Sequence, residues 1–264
     1  MYTLALLSLI LVSTLFADPL ASLSKDDRAA IAMLGNGVIL DTVKTDPVVQ
    51  ATDWLPLRPS SLTFVRTTGT KAGQTETISI ISTTRAPGSP VGSKKGGWSE
   101  KDPELWTRYL DVSNGNIRVP SSLNVPEAVV SKFEPADPLI LAGVKPGQAV
   151  TQRVSVKVYD VGDPTTVAHS GTLDSVYRDL GGFKLAVPAG TFNTRLIKTT
   201  YNGKIGPANV AYAAWVFYAK DVGPVAFIGH RDVTAFLIYN DAQRFGAVLR
   251  SNGAGKTKTD SAGN

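Results

Sequence analysis

The two histidines are the residues of this sequence best suited to acid–base catalysis, because imidazole titrates near neutral pH. His169 is followed by Ser170 and lies close to Asp174, so a base, a nucleophile and an acid occur together. Neighbours on a strand point to opposite faces, however, and His169 and Ser170 are then not expected to meet. His230 lies in a His-Arg-Asp sequence that is typical of a polar turn. A hydrolase that uses His169 or His230 is therefore the least supported hypothesis.

No pattern in the sequence indicates a metal or cofactor site. The chain has no cysteine, and the two histidines lack the close spacing that a metal-binding helix needs. Residues 253–257 resemble the end of a phosphate-binding loop, but Arg250 stands where the earlier glycine is required. The carboxylates form no obvious catalytic pair. The sequence thus predicts no catalytic residue, no metal and no cofactor.

Aromatic residues in the second half of the chain could line a cavity for an apolar ligand. Trp215, Phe217 and Tyr218 follow one another closely in a segment with strand character. They could equally form ordinary core, with Tyr218 reaching solvent, and both interpretations stay open. Under the cavity hypothesis the partner is an apolar small molecule or a lipid, and the lining residues are Phe192, Leu196, Trp215, Phe217 and Phe227.

A hairpin at residues 188–190 would position these aromatic residues. Proline presets φ for the turn, and glycine can adopt the left-handed conformation that ends a three-residue loop. This loop pairs Val187 with Thr191 and places Leu185 and Phe192 on opposite faces. Neither face is then polar, which indicates either a sheet covered on both sides or a register that is wrong by one residue.

Alternating apolar residues predict several further strands. Val154, Val156 and Val158 alternate with polar residues over 153–159, and residues 75–82 show the same period. Ser24 is placed to cap a short helix. The segment 105–112 suits a strand, although residues 102–104 could start a helical turn. The fold class is predicted as mainly β, with a curved, half-barrel-like antiparallel sheet and one or two short helices.

Composition and charge indicate one folded domain. The chain has 264 residues, 43% of them hydrophobic and 19% charged, as in ordinary globular proteins. The net charge of +5 forms no basic stripe, so no nucleic-acid partner is predicted. We expect a single β-rich domain over residues 18–250, within which 50–125 and 135–250 could be two related halves. The small, polar residues 251–264 are predicted to be a disordered tail.

The apolar residues 4–17 are typical of the core of a secretory signal. Cleavage can follow Ala17 or Ala21, and residues 1–17 are taken as the signal peptide; an uncleaved anchor is the alternative. The mature chain then carries no transmembrane segment, and a secreted or periplasmic bacterial location is predicted.

Three short segments together resemble a signature of uncharacterised bacterial exported proteins and lipoproteins. The segments are Val-Pro-Ala-Gly-Thr-Phe at 187–192 and Trp-Val-Phe-Tyr-Ala at 215–219, followed by Val-Gly-Pro-Val at 222–225. The resemblance implies a curved antiparallel sheet like the half-barrels of lipoprotein carriers, and it brings no catalytic residues. Because this chain lacks cysteine, tethering through a lipid-modified cysteine is not implied.

The favoured function is therefore an exported, non-enzymatic protein that binds an apolar ligand in the concave face of its sheet. The alternative is a structural or adhesive protein that acts through the loop at residues 87–106, where Trp98 and a Lys-Lys pair could contact a partner. The proline-punctuated residues 119–138 are predicted to be a second long connection.

Overall fold

The computed structural model describes residues 18–83, 97–235 and 239–253. Within them the chain forms one short α-helix and two 3₁₀ turns, Ala32–Leu34 and Ala51–Asp53. The helix is α1, Lys25–Ile31, and Ser24 caps it as predicted by accepting a hydrogen bond from the Asp27 amide. The strands are β1 Ile39–Val43, β2 Ser60–Arg66, β3 Thr75–Thr83, β4 Gly97–Asp102, β5 Trp106–Ser113, β6 Asn116–Asn124, β7 Val129–Ile140, β8 Ala149–Asp160, β9 His169–Val187, β10 Gly190–Ile205, β11 Ala208–Ala219, β12 Gly223–Ala235 and β13 Tyr239–Gly253.

The strands β2 to β13 close into a twelve-stranded antiparallel barrel. Each strand pairs with the one before and the one after it in sequence, and β13 completes the circle by pairing with β2. The mainly β prediction is confirmed, but the half-barrel is wrong, because the sheet closes fully. The seam joins strands from opposite ends of the chain, and closure removes the exposed edges of an open sheet.

The predicted hairpin at residues 188–190 is present, but its register is shifted by one residue. Gly190 pairs with Val187, so the loop contains two residues instead of three. Phe192 therefore pairs with Leu185 and shares its face. This face packs in the cluster that includes residues of α1, whereas Lys184, Thr191 and Asn193 on the opposite face are exposed.

Two proline-containing segments that were predicted as connections contain strands. Residues 119–138, predicted as a connection, belong to β6 and β7, and residues 97–100 of the predicted loop belong to β4. Pro120 lies where the pairing of β6 with β7 shifts register, a position that tolerates a residue without an N–H group. The rest of the predicted loop, residues 87–96, lies outside the described residues.

Other strand predictions are confirmed. Val154, Val156 and Val158 are buried on β8 while Arg153, Ser155 and Lys157 are exposed. The segment 105–112 forms β5 apart from its first residue. At the other end, β13 continues to Gly253, so residues 251–253 are strand and not part of a tail. The division into two related halves stays a prediction, since the meander runs continuously through residues 125–135.

The segment 46–58, called here the end cap, crosses one end of the barrel. Its backbone bonds to the β5–β6 turn at Gly115 and the β7–β8 loop at Gly143, both at 2.8 Å, and to the β11–β12 turn at Asp221, at 2.7 Å. Its apolar side chains Val48 and Leu55 are buried with residues of the surrounding strands. This end of the barrel is therefore closed by an apolar plug.

Candidate functional site

Contacts between strands that are not neighbours identify the inner face of the barrel. The Tyr201 hydroxyl on β10 donates to the carboxylate of Asp137 on β7. Arg231 on β12 lies 3.2 Å from Glu127 in the turn between β6 and β7, measured from Nη2 to Oε1. Such pairs can meet only through the interior. The face that carries Tyr201 and its paired neighbour Tyr212 therefore lines the lumen.

The lumen retains accessible space. Ala214 and Val216 share the face of Tyr212, and β11 is paired on both edges, yet both residues are partly exposed. Arg108 pairs with the inward-facing Ser122 and Glu100, and its side chain is 31% exposed. Inward-pointing side chains in the middle of paired strands can be exposed only to an internal space. This space is the candidate site.

Asp137 forms the polar centre of the lumen. It accepts hydrogen bonds from the Tyr201 hydroxyl and, at 3.4 Å, from the Ser175 hydroxyl. Burial raises the pKa of Asp137 to about 6, and these hydrogen bonds limit the rise. Both forms of this carboxyl group are therefore populated near neutral pH, and the protonated form can donate as well as accept hydrogen bonds.

Arg108 lies near this centre and is only partly paired. Its guanidinium group lies 4.5 Å from the centroid of the Trp106 ring. Nη2 is 2.8 Å from the buried Glu100 carboxylate, whereas Nε has no hydrogen-bond partner among the described residues. Burial raises the pKa of Tyr201 and Tyr212, so both hydroxyls stay protonated. The centre therefore offers several donors and acceptors to a polar group.

An aliphatic wall adjoins the polar centre. Val154, Val156 and Leu173 are buried on β8 and β9, and the partly exposed Phe133 and Tyr201 pack against them. Tyr201 thus touches this wall with its ring and Asp137 with its hydroxyl. The lumen presents an apolar surface and a hydrogen-bonding surface side by side.

The structure divides the predicted ligand-lining residues between the two faces of the sheet. Leu196 and Trp215 lie on the outer face and are buried in the cluster that includes the residues of α1. Phe217 belongs to the same cluster, and Phe192 packs against it from its edge. Phe227 instead pairs with Val216 on the inner face. The five residues do not form one surface, and a ligand on the outer face stays a prediction.

The Trp215 indole is held by Asp27 of α1 rather than facing a cavity. The Asp27 carboxylate accepts from Trp215 Nε1 at 2.8 Å and from Lys198 Nζ at 2.6 Å. Burial would raise the pKa of Asp27, but the hydrogen bonds from Lys198, Ser24 and Trp215 outweigh it and lower the pKa. This network fixes α1 on the outside of the barrel.

The histidines are far apart in the fold. His169 is exposed at the start of β9. His230 is half-buried, with its ring 4.9 Å from that of Trp215 and its Nε2 3.2 Å from the Met33 sulfur. Burial lowers the pKa of His230, together with the charges of Arg244 and Lys198. Among the described residues, no group of three or more His, Cys, Asp or Glu side chains could hold a metal ion.

Part of the predicted contact loop, residues 97–102, is a strand in the structure. Trp98 lies on β4 and packs against the cluster beneath the end cap, so it does not project from a loop. None of the residues at the polar centre was singled out from the sequence. A strand assignment for residues 129–140 would have placed Asp137 on one face, but its flanking prolines indicated a connection.

Comparisons with known proteins give two remote structural matches. One is a "putative exported protein with YmcC-like fold" from Bacteroides fragilis, with 13% identity and a TM-score of 0.41, covering 73% of this chain and 94% of that one. The other is a "putative lipoprotein" from Parabacteroides distasonis, with 11% identity and a TM-score of 0.31, covering 81% and 100%. No protein-family model matches the chain. No curated protein matches it either.

In the part of the chain that the structure describes, none of the helices has the length and apolar character needed to span a membrane.

Proposed function

We propose that the protein is an exported, non-enzymatic carrier of the bacterial envelope that holds a small amphiphile inside its barrel. The observation that carries this proposal is the lumen itself, in which a polar centre at Asp137 and Arg108 adjoins an aliphatic wall at Val154 and Leu173. A ligand with a polar head and an apolar body satisfies both surfaces at once.

The polar centre argues against a purely apolar ligand, which the sequence alone favoured. An apolar group packed against Asp137 and Arg108 would remove water from them and return no hydrogen bond. Each buried polar group left without a partner costs about 1–3 kcal/mol. Because Glu100 already balances the charge of Arg108, the head group should be neutral or weakly acidic.

Ligands that share one alkyl chain and differ only in the head group test this proposal. We expect dodecanol and dodecanoic acid to displace a fluorescent fatty-acid probe at about fivefold lower concentration than dodecane, since one hydrogen bond contributes about 1 kcal/mol. The fluorescence of Trp106, which stacks on Arg108, gives a second readout. Native mass spectrometry of protein purified from its source would identify the natural ligand.

The Arg108→Met variant should bind all three compounds with similar affinity, because it keeps the apolar stem and loses the hydrogen-bonding head. The matched control is Arg153→Met, since Arg153 lies on the outer face of β8 and its side chain is 73% exposed. Absence of binding by every compound overturns the carrier. Equal binding of all three by the parent protein overturns the polar head group.

Export to the envelope is supported by the signal-like residues 1–17. Expression of the full chain in a bacterial host should yield protein in the periplasmic fraction. Intact-mass measurement should show a mature chain that begins at Asp18. A full-length cytoplasmic product would contradict export.

A further inference from the structure

The wall of the barrel is split between β7 and β8. The two strands pair only from Val129–Asp160 to Glu134–Ser155, although β7 continues to Ile140 and β8 begins at Ala149. Over the remaining residues, β7 stays paired with β6 and β8 stays paired with β9. Residues 135–140 and 149–154 therefore face each other without a backbone ladder.

The sequence explains why the pairing ends there. Pro135 and Pro138 have no N–H group, so this part of β7 has fewer donors to offer to a neighbouring strand. The split is spanned by side chains instead. Arg118 Nη1 donates to the Ala136 carbonyl oxygen at 3.1 Å, and Gln152 Nε2 donates to the same oxygen at 3.4 Å. Arg118 Nη1 also lies 3.4 Å from Gln152 Oε1.

The split lies directly beside the polar centre. Gln152 pairs with Ser175, whose hydroxyl bonds to Asp137, and Asp137 itself directly follows Ala136. Asp137 and Gln152 are both partly exposed. The end cap closes one end of the barrel, and Arg231 crosses the other through its contacts with Glu127 and Asp241. The split thus offers a way from solvent to Asp137 through the wall, apart from either end of the barrel.

We propose that the split between β7 and β8 is the entrance to the lumen, and that Arg118 and Gln152 form its gate. The two side chains hold the split closed through hydrogen bonds to a single carbonyl oxygen. Opening it requires only rotation of these side chains, because no backbone pairing has to break. The biological role of this entrance, as the route of a ligand, rests on the proposed function. The route itself, from solvent to the lumen, does not depend on that function.

Thiol accessibility tests the entrance without any ligand. The chain has no cysteine, so a Ser175→Cys variant carries a single thiol at the polar centre. Its rate of modification by a small charged methanethiosulfonate reagent reports the opening of the path. Adding Gln152→Ala should raise this rate about tenfold, which corresponds to a loss of about 1.4 kcal/mol in the stability of the closed gate. Adding Arg118→Ala should act in the same direction.

The matched control is Glu127→Ala, which removes a contact across the other end of the barrel and should leave the rate unchanged within about twofold. If Glu127→Ala speeds modification and Gln152→Ala does not, the proposal is overturned. Equal melting temperatures of the variants establish that global unfolding is not the route. Because no ligand is used, failure of the carrier proposal leaves this result intact.

Discussion

The two ends of the barrel are built in opposite ways. At the capped end, Val48 and Leu55 fill an apolar cluster, and Arg195 lies fully buried against Asp179 and the Asp46 carbonyl. At the other end, called here the mouth, the cross-barrel contact is an ion pair between Arg231 and Glu127, whose side chains are 31% and 48% exposed. The capped end is sealed from water, whereas the ion pair at the mouth is exposed to water.

This contrast predicts that the two ends contribute unequally to stability. Burial of apolar groups and of a hydrogen-bonded ion pair makes the cap costly to displace. An exposed ion pair contributes little, because water and salt screen both charges. We expect variants at the cap to change the free energy of unfolding strongly, and variants at the mouth to change it weakly.

The largest effect is expected for Arg195→Ala. Burial raises the pKa of Asp179, and the guanidinium group of Arg195 opposes this rise. Removing Arg195 leaves the Asp179 carboxyl buried without its charge partner, which should cost about 3–5 kcal/mol in urea unfolding. The double variant Arg195→Met with Asp179→Leu should recover much of this loss. A loss below about 1 kcal/mol would show that the cap is less tightly sealed than its burial indicates.

Asp137, between the two ends, should give a smaller and pH-dependent effect. Its folded-state pKa of about 6 is above the ordinary value of 3.8, so the folded state binds the proton more tightly than the unfolded state. The contribution of this group is therefore greatest at low pH, and stability falls as the pH rises from about 4 to 6, by up to about 3 kcal/mol.

Urea unfolding at a series of pH values measures this slope. The difference in free energy of unfolding between the parent protein and the Asp137→Asn variant isolates the contribution of Asp137 from those of the other carboxyl groups. Above the folded pKa the difference should become constant. A difference that grows more favourable to the parent protein between pH 4 and 6 would contradict the assigned burial.

The smallest effect is expected at the mouth. Glu127→Ala removes one partner of Arg231, while Asp241 remains 3.0 Å from its other terminal nitrogen. The free energy of unfolding should change by no more than about 0.5 kcal/mol, and less at high salt. Differential scanning calorimetry at two salt concentrations provides the measurement. A change as large as that of Arg195→Ala would remove the contrast between the ends.

Local sequence patterns predicted the elements whose environment is simple. Val154, Val156 and Val158 alternate with exposed residues, so their period identifies both the strand and its buried face. Ser24 was recognisable as a helix cap because its hydroxyl acts on the adjacent turn. In both cases the determining interaction lies within a few residues of the chain.

The lumen could not be predicted in the same way. Asp137 and Tyr201 meet only because the sheet curls until β7 faces β10, and no local period encodes that curvature. The prolines at 135 and 138 suggested a connection, although they lie where β7 leaves β8. The aromatic residues at 215 and 217 were conspicuous, yet they serve the outer cluster under α1.

The seam between β2 and β13 has a consequence for biosynthesis. During synthesis, β2 leaves the ribosome early and β13 leaves it late. The edge of β2 that pairs with β13 therefore stays unpaired until β13 has been made. Until then the incomplete sheet has two unpaired edge strands, which can pair with other chains. A product that stops before residue 239 should consequently be recovered as aggregate, so the last strand serves as a checkpoint on complete synthesis.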